Sequence, residues 1–200
     1  MAEQAQADVV FECQPHKLAK SLAFSYSLAN RSKSDLYVLD AFPAVEPGSK
    51  RAFADLNGVF VSATPDGAVY LLKGIPPLPA DRQVWQSIIP LGSKLAPEGK
   101  LGRNFEIPLP LAEQSPYYVD LPLRDYQLED VRQVTLIVHF LRSTVEGFKA
   151  EPVDYAEGFF RVSGKNTMGQ VESVASSFPT KSLTILMRKD RFARFEPPKP

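Results

Sequence analysis

The clearest indication of the fold lies in residues 51–73, which read RAFADLNGVFVSATPDGAVYLLK. At their centre stands Asn57-Gly58, a dipeptide that favours the two left-handed positions of a type I′ hairpin turn. Pairing across this turn places small or apolar side chains opposite one another on one face: Leu56 and Val59, Ala54 and Val61, Ala52 and Ala63. The sequence therefore predicts a β-hairpin around this dipeptide.

A second turn is predicted at Thr64-Pro65-Asp66-Gly67, because proline presets φ and Asp-Gly suits the left-handed corner. Residues 68–73 would then return as a third strand. The apolar face continues if two further pairs form, Ala63 with Tyr70 and Val61 with Leu72. Residues 51–73 are therefore predicted to form a three-stranded meander.

Other strands are predicted on both sides of this meander. Residues 21–29 alternate Leu22, Phe24, Tyr26 and Leu28 with small or polar residues, the period of a strand with one buried face. Residues 131–142, VRQVTLIVHFLR, are apolar on both alternations and should form a central strand covered on both faces. Further strands are predicted at residues 9–13, 36–42, 159–162, 170–178 and 182–187. The best helical candidates are one or two turns long, at residues 16–20 and 125–131.

Proline is the most unusual feature of the composition. The chain has 18 prolines in 200 residues, against an average share of about 5%. Eight of them fall in residues 74–118, and proline cannot donate to a central ladder. This region is therefore predicted to be loop and edge strand. Its best strand is residues 105–111, where Pro108 and Pro110 suit the edge of a sheet.

Many short strands without a long helix predict an all-β fold, an antiparallel β-sandwich of immunoglobulin-like or Greek-key type. A β-barrel is the alternative, since closure would also remove the sheet edges. We expect one domain over residues 1–187 followed by a basic-aromatic, Pro-rich C-terminal arm at residues 188–200. Two small sandwiches divided near Pro116 are the other possible organisation.

Composition and charge exclude several functional classes. Lys plus Arg equals Asp plus Glu, at 23 each, so neither nucleic acid nor a membrane is expected as partner. The single cysteine excludes a fold held by intramolecular disulfides. Residues 1–10 have neither a basic start nor an apolar stretch, which favours the cytoplasm. A bacterial periplasmic location with a leader removed is the alternative.

No catalytic motif is found. The chain has no nucleophile elbow, Walker A loop or dinucleotide fingerprint. Cys13 and His16 have the spacing of two zinc ligands, but too few further ligands follow. His139 lies in the most apolar strand, where a hydrogen-bonded core histidine is expected more often than a base. The sequence therefore predicts no catalytic residue, no metal site and no cofactor.

Charge is unevenly distributed along the neutral chain. Residues 104–160 hold ten acidic and four basic residues, a net charge of −6, whereas residues 161–200 hold eight basic and three acidic ones, a net charge of +5. Cations interleaved with aromatic residues suit a partner groove that accepts aromatic anchors. They also suit phosphate contact with base stacking, and a further alternative is an ordinary last strand with Phe192 and Phe195 packed on the domain. The predicted partner-binding residues are those of the arm: Arg188, Lys189, Arg191, Phe192, Arg194 and Phe195.

These features favour a non-catalytic module for protein interaction or structure. It would present Pro-rich loops and the C-terminal arm to another protein or to a second copy of itself. One alternative is an enzyme or small-ligand-binding protein with a pocket near His139 or the acidic residues between Asp120 and Asp130. Another is a sandwich resembling proteinase inhibitors, with residues 75–79, IPPLP, as an exposed rigid loop.

Overall fold

The structure, a computed structural model, describes residues 8–79, 83–85 and 87–190. These residues form thirteen β-strands and two 3₁₀ turns, at Leu123–Asp125 and Thr167–Gln170. No helix in the described residues has the length and apolar character needed to cross a bilayer. In chain order the strands are β1 (Val9–Lys17), β2 (Ser21–Asn30), β3 (Leu36–Val45), β4 (Ala52–Asp55), β5 (Phe60–Ala63), β6 (Ala68–Lys73), β7 (Leu91–Leu95), β8 (Lys100–Pro108), β9 (Leu111–Ala112), β10 (Tyr126–Arg142), β11 (Lys149–Pro152), β12 (Phe159–Ser163) and β13 (Glu172–Arg188).

The smaller sheet has three antiparallel strands in the order β1-β2-β8. The alternation predicted for β2 is confirmed, since Leu22, Phe24, Tyr26 and Leu28 are all buried. β8 lies at the edge of this sheet, so the edge strand predicted at residues 105–111 is confirmed in part: it begins earlier, at Lys100, and ends at Pro108, before Pro110. Pro108 ends β8 opposite Ser21.

The larger sheet follows the order β11-β12-β7-β3-β10-β13-β9. Its central strand is β10, which pairs with β13 along one side. Along the other side β10 pairs first with β6, in parallel, and then with β3, antiparallel. Leu136 and Ile137 point to opposite faces and are both buried. The prediction of a central strand covered on both faces is therefore confirmed.

The two sheets pack face to face around one hydrophobic core. The smaller sheet contributes Phe24 and Phe105, and the larger sheet contributes Val38, Leu136 and further apolar residues. The larger sheet ends at β11 and β9, which do not pair with each other in the described residues. The β-sandwich is confirmed and the barrel alternative is wrong, while its immunoglobulin-like character stays a prediction.

Residues from the Pro-rich region cover the outer face of the larger sheet. Ile75 packs with Leu141, and Tyr118 packs with Ile137. The prediction of loop and edge strand was incomplete here, because β7 is internal, between β12 and β3. Only five residues long, β7 carries too little alternation to be recognised from the sequence.

The predicted hairpin at Asn57-Gly58 is wrong. β4 pairs with β3 instead of β5, with Val45 opposite Ala52. Gly48 and Lys50 take positive φ angles in the connecting loop, whereas Asn57 and Gly58 do not. A Cβ at position 58 would lie 2.8 Å from Cδ2 of Phe42, so a larger residue there would force the Phe42 side chain to shift.

The hairpin of β5 and β6 is confirmed, with its pairing shifted by one residue. Ala63 pairs with Val69 rather than Tyr70, and Val61 with Leu71 rather than Leu72. The shift follows from the turn, which closes when the Thr64 amide donates to the Ala68 carbonyl at 2.9 Å. Gly67 takes the expected left-handed conformation, with φ of 86°.

Both helical candidates are wrong. β1 continues through His16 to Lys17, and β10 begins at Tyr126. The two strands predicted at residues 170–178 and 182–187 join into the single strand β13, which passes through Pro179. The pairing of β10 with β13 shifts at this point, between Val131 and Gln133, so the ladder tolerates the missing proline donor.

Candidate functional site

A cluster of charged side chains is buried between the two sheets. Asp40, fully buried, lies where the pairing of β3 with β7 shifts. Its Oδ1 accepts from the Ser93 hydroxyl and its Oδ2 from Nε of Arg103, both at 2.8 Å. Nη2 of Arg103 also donates to the Ser93 hydroxyl oxygen at 2.8 Å. Because Arg103 belongs to the smaller sheet and the other two to the larger, these bonds join the sheets.

Tyr26 and Lys73 complete this inter-sheet cluster. Burial, with the nearby Asp40 carboxylate, raises the pKa of Tyr26 well above its usual value, and the hydroxyl is hydrogen-bonded to Asp40. Burial raises the pKa of Asp40, against the opposing effect of Arg103. Lys73 donates to the Leu56 carbonyl and lies 4.5 Å from the centre of the Phe105 ring. Burial lowers its pKa to about 8, so the ammonium is still charged at neutral pH.

The sequence reasoning missed the inter-sheet cluster. One signal was present, since Asp40 is the only charged residue in residues 36–42, LYVLDAF. A carboxylate inside a buried strand requires a charged or hydrogen-bonding partner. The identity of that partner depends on how the sheets pack, which the local pattern does not encode.

The first two arm residues are held by the fold. Arg188 is the last residue of β13 and is buried. Its amide donates to Oε2 of Glu113 at 2.8 Å, and its guanidinium donates to the Val119 carbonyl and to the Asp190 carboxylate. Lys189 donates to the carbonyls of Asp125 and Arg124. The other four predicted partner-binding residues lie outside the described residues: Arg191, Phe192, Arg194 and Phe195.

His139 is enclosed by the first residues of the Pro-rich region. A Cβ on Gly74 would lie 2.4 Å from Cγ of the imidazole, and the Ile75 amide donates to Nδ1 at 3.3 Å. Burial lowers the pKa of His139 to about 4. The imidazole is therefore neutral near pH 7, with Nδ1 acting as an acceptor.

The candidate residues for other chemistry are not brought together. Cys13 packs against the core while His16 is exposed, as alternation along β1 requires. Burial raises the pKa of the Cys13 thiol to about 12, so the thiol is protonated at neutral pH. Asp130 and His139 lie nine residues apart on β10, which corresponds to about 30 Å in a strand.

An open groove lies between the β3–β4 hairpin and the residues that follow β9, and is called here the hairpin groove. Its volume is about 350 Å³. Two hydrogen bonds fix its rim: Gln114 donates to the Val59 carbonyl at 2.8 Å, and the Ile88 amide donates to the Tyr117 hydroxyl at 2.9 Å. Its lining is mostly apolar, with two carboxylates: Phe42, Pro43, Ala44, Asp55, Gly58, Val59, Phe60, Ile88, Gln114, Ser115, Pro116 and Asp120.

Large apolar side chains are exposed beside the groove and in the Pro-rich region. Trp85 is 93% exposed, Val119 77% and Leu123 75%. In residues 75–79 only Leu78 is exposed, at 47%, whereas Ile75, Pro76 and Pro79 are buried. The segment considered as an inhibitory loop therefore offers a single exposed side chain.

Comparisons with known protein families, with curated protein sequences and with solved structures found no match.

Proposed function

We propose that the chain is a non-catalytic module that binds another protein through its Pro-rich region and its C-terminal arm. One observation carries the proposal: Trp85, the only tryptophan, is 93% exposed in the Pro-rich region. Tryptophan and arginine are enriched among the residues that contribute most to protein interfaces. An indole held in water costs free energy that a partner pocket would recover.

The contacts of the buried polar groups favour a binding role over a catalytic one. Asp40, Arg103 and Lys73 are engaged between the sheets, and Glu113 accepts from two strands. His139 is neutral and contacts Gly74 and Ile75. The hairpin groove does not include this histidine in its lining. These groups stabilise the sandwich, and an active site near His139 draws no support from their geometry.

The arm suits docking because its root is fixed and its composition is basic and aromatic. Arg188 and Lys189 attach it beside Val119 and Asp125. The exposed side chains of Val119 and Leu123 extend the apolar surface next to this root. Arg188 is the last residue of β13, and Lys189 and Asp190 are hydrogen-bonded to the fold. The part of the arm that is proposed to bind the partner is therefore residues 191–200. The cytoplasmic location predicted from the N-terminus belongs to the same proposal.

The test is affinity capture from native-source lysate with the full chain, followed by reconstitution with the purified captured protein. Trp85→Ala and the double variant Arg191→Glu/Arg194→Glu should each weaken the affinity for that protein at least tenfold. Phe53→Ala is the matched control, because Phe53 is an exposed aromatic residue, 40% exposed, on β4 instead of the Pro-rich region. Equal affinity for the native chain and for both test variants would contradict the proposal.

A further inference from the structure

We infer that the hairpin groove is occupied by the C-terminal arm of the same molecule, residues 191–200. This inference rests on the proposed function, because it takes the arm as the docking element. It adds a regulatory consequence, since a partner that binds the arm must first displace it from the groove. The arm would then be bound to the chain's own surface in the absence of a partner.

The starting point of the arm lies beside the groove. The Arg188 guanidinium donates to the Val119 carbonyl at 2.8 Å, and Asp120, the next residue, lines the groove. The Lys189 amide donates to the Asp125 carbonyl at 3.1 Å. Ten residues follow Asp190, and an extended chain of that length reaches about 33 Å. The arm is therefore long enough to cross the groove without moving the fold.

The chemistry of the arm matches that of the groove. Residues 191–200 read RFARFEPPKP, with Phe192 and Phe195 three residues apart. The prolines of the arm follow both rings, at positions 197, 198 and 200. A polyproline II helix has three residues per turn, so both rings would lie along one edge if that conformation extended back to Phe192. The apolar lining supplies Val59, Ile88 and Pro116 as contacts for these rings.

Charge complementarity points to the same pairing. Residues 191–200 contain three basic residues, Arg191, Arg194 and Lys199, and one acidic residue, Glu196. Among the described residues, the lining of the groove holds two carboxylates, Asp55 and Asp120, and no cation. Residues 104–160, which include one wall of the groove, have a net charge of −6 from ten acidic and four basic residues. Opposite charges at the rim would fix the direction of the arm.

The short connection favours the arm of the same molecule over the arm of a second copy. A short flexible linker gives an effective concentration in the millimolar range. A second copy at micromolar concentration competes poorly with that value. The occupied fraction of the groove should therefore be independent of protein concentration.

The test compares amide NMR spectra of the ¹⁵N-labelled full chain with those of the variant Phe192→Ser/Phe195→Ser. Outside the substituted segment itself, we expect shift differences confined to groove residues, among them Ala44, Val59 and Ser115, and of equal size at about 20 and 400 μM. The matched control is Ala193→Ser, which leaves both rings and should not shift the groove amides. Shifts elsewhere, or none, would overturn the inference. Shifts that grow with concentration would assign the groove to a second copy and also overturn it.

A variant of the groove separates this inference from the proposed function. Asp120→Lys should release the arm and raise the affinity for the captured partner about tenfold. Glu157→Lys, at an exposed position on another loop, is the control and should leave that affinity unchanged. An unchanged or lowered affinity in Asp120→Lys overturns the docked arm, even where the Arg191→Glu/Arg194→Glu result supports the proposed function. If neither the native chain nor any variant bound the captured protein, the proposed function would be contradicted. The NMR comparison would still show whether the arm occupies the groove.

Discussion

The half-buried imidazole of His139, which lies against Gly74 and Ile75, makes the stability of the fold depend on pH. Its pKa falls from 6.5 to about 4 in the folded chain, so between these values the unfolded state binds a proton that the folded state does not. Stability contributed by the neutral imidazole is complete above pH 6.5 and is lost as pH falls toward 4. The loss should approach about 3 kcal/mol. Denaturant unfolding of His139→Gln at pH 7 and pH 4.5 should show a smaller fall than the native chain.

The control for this pH dependence is His16→Gln, because His16 is exposed at the end of β1. It should keep the pH-dependent fall of the native chain. An identical fall in His139→Gln and the native chain would show that the stability change comes from other groups.

The sequence placed His139 correctly in a buried strand. The enclosure of the imidazole was not predictable. Ile75 lies 64 residues from His139 along the chain, and it comes close only because β6 pairs with β10.

At the level of strands, alternation in the sequence predicted where a strand exists better than it predicted which strand is its partner. β2 was predicted correctly, because a long stretch with one clear period needs no knowledge of its neighbours. Residues 131–142 of β10 were predicted from apolar residues on both faces, whereas the sequence predicted a helical candidate over the first residues of this strand. β4 was assigned to the wrong partner, because Asn57-Gly58 is a strong local turn signal. The loop of Gly48 and Lys50 instead turns the chain back onto β3. Pairing depends on the total packing of the sheets, which a single dipeptide does not determine.

Glu113 connects two strands that do not pair directly. Its side chain is 1% exposed, and its two oxygens accept from the amides of Ala63, in β5, at 3.0 Å and Arg188, in β13, at 2.8 Å. Glu113→Ala leaves both buried amides without this acceptor. We expect the free energy of unfolding to fall by about 2–4 kcal/mol, measured by urea denaturation.

The matched control for this prediction is Glu106→Ala, which removes an exposed carboxylate from β8. It should change the free energy of unfolding by less than about 0.5 kcal/mol. Glu113→Gln should be intermediate, because the amide keeps one acceptor oxygen. A loss in Glu113→Ala no larger than in the control would mean that the two strand ends are held by other contacts.

For the whole molecule, the sequence predicted the sandwich and missed what joins its sheets. The one apolar face of β2 and the two apolar faces of β10 require burial, and face-to-face packing of sheets is the common solution. The Asp40–Arg103 pair is different, since its partners are 63 residues apart. No local period relates residues at that separation. The apolar part of the core was therefore predictable and its ionic part was not.

The ion pair between the sheets should couple their stabilities. Asp40→Leu leaves Arg103 near Lys73 without the carboxylate, so we expect a loss of about 4 kcal/mol. Arg103→Met should cost more, about 5 kcal/mol, because it leaves the fully buried Asp40 carboxylate without its cation, whereas the Arg103 side chain, 22% exposed, is partly solvated when Asp40 is removed. The double variant should lose at least about 1 kcal/mol less than the sum of the single losses. Urea unfolding of the four chains measures all three values.

A surface pair with the same N–O distance provides the comparison. Lys94 and Asp35 are also 2.8 Å apart, with side chains 44% and 29% exposed. The variant Asp35→Ala should lose no more than about 1 kcal/mol, because water solvates the remaining charge. Additive losses at Asp40 and Arg103 would mean that the pair does not couple the sheets.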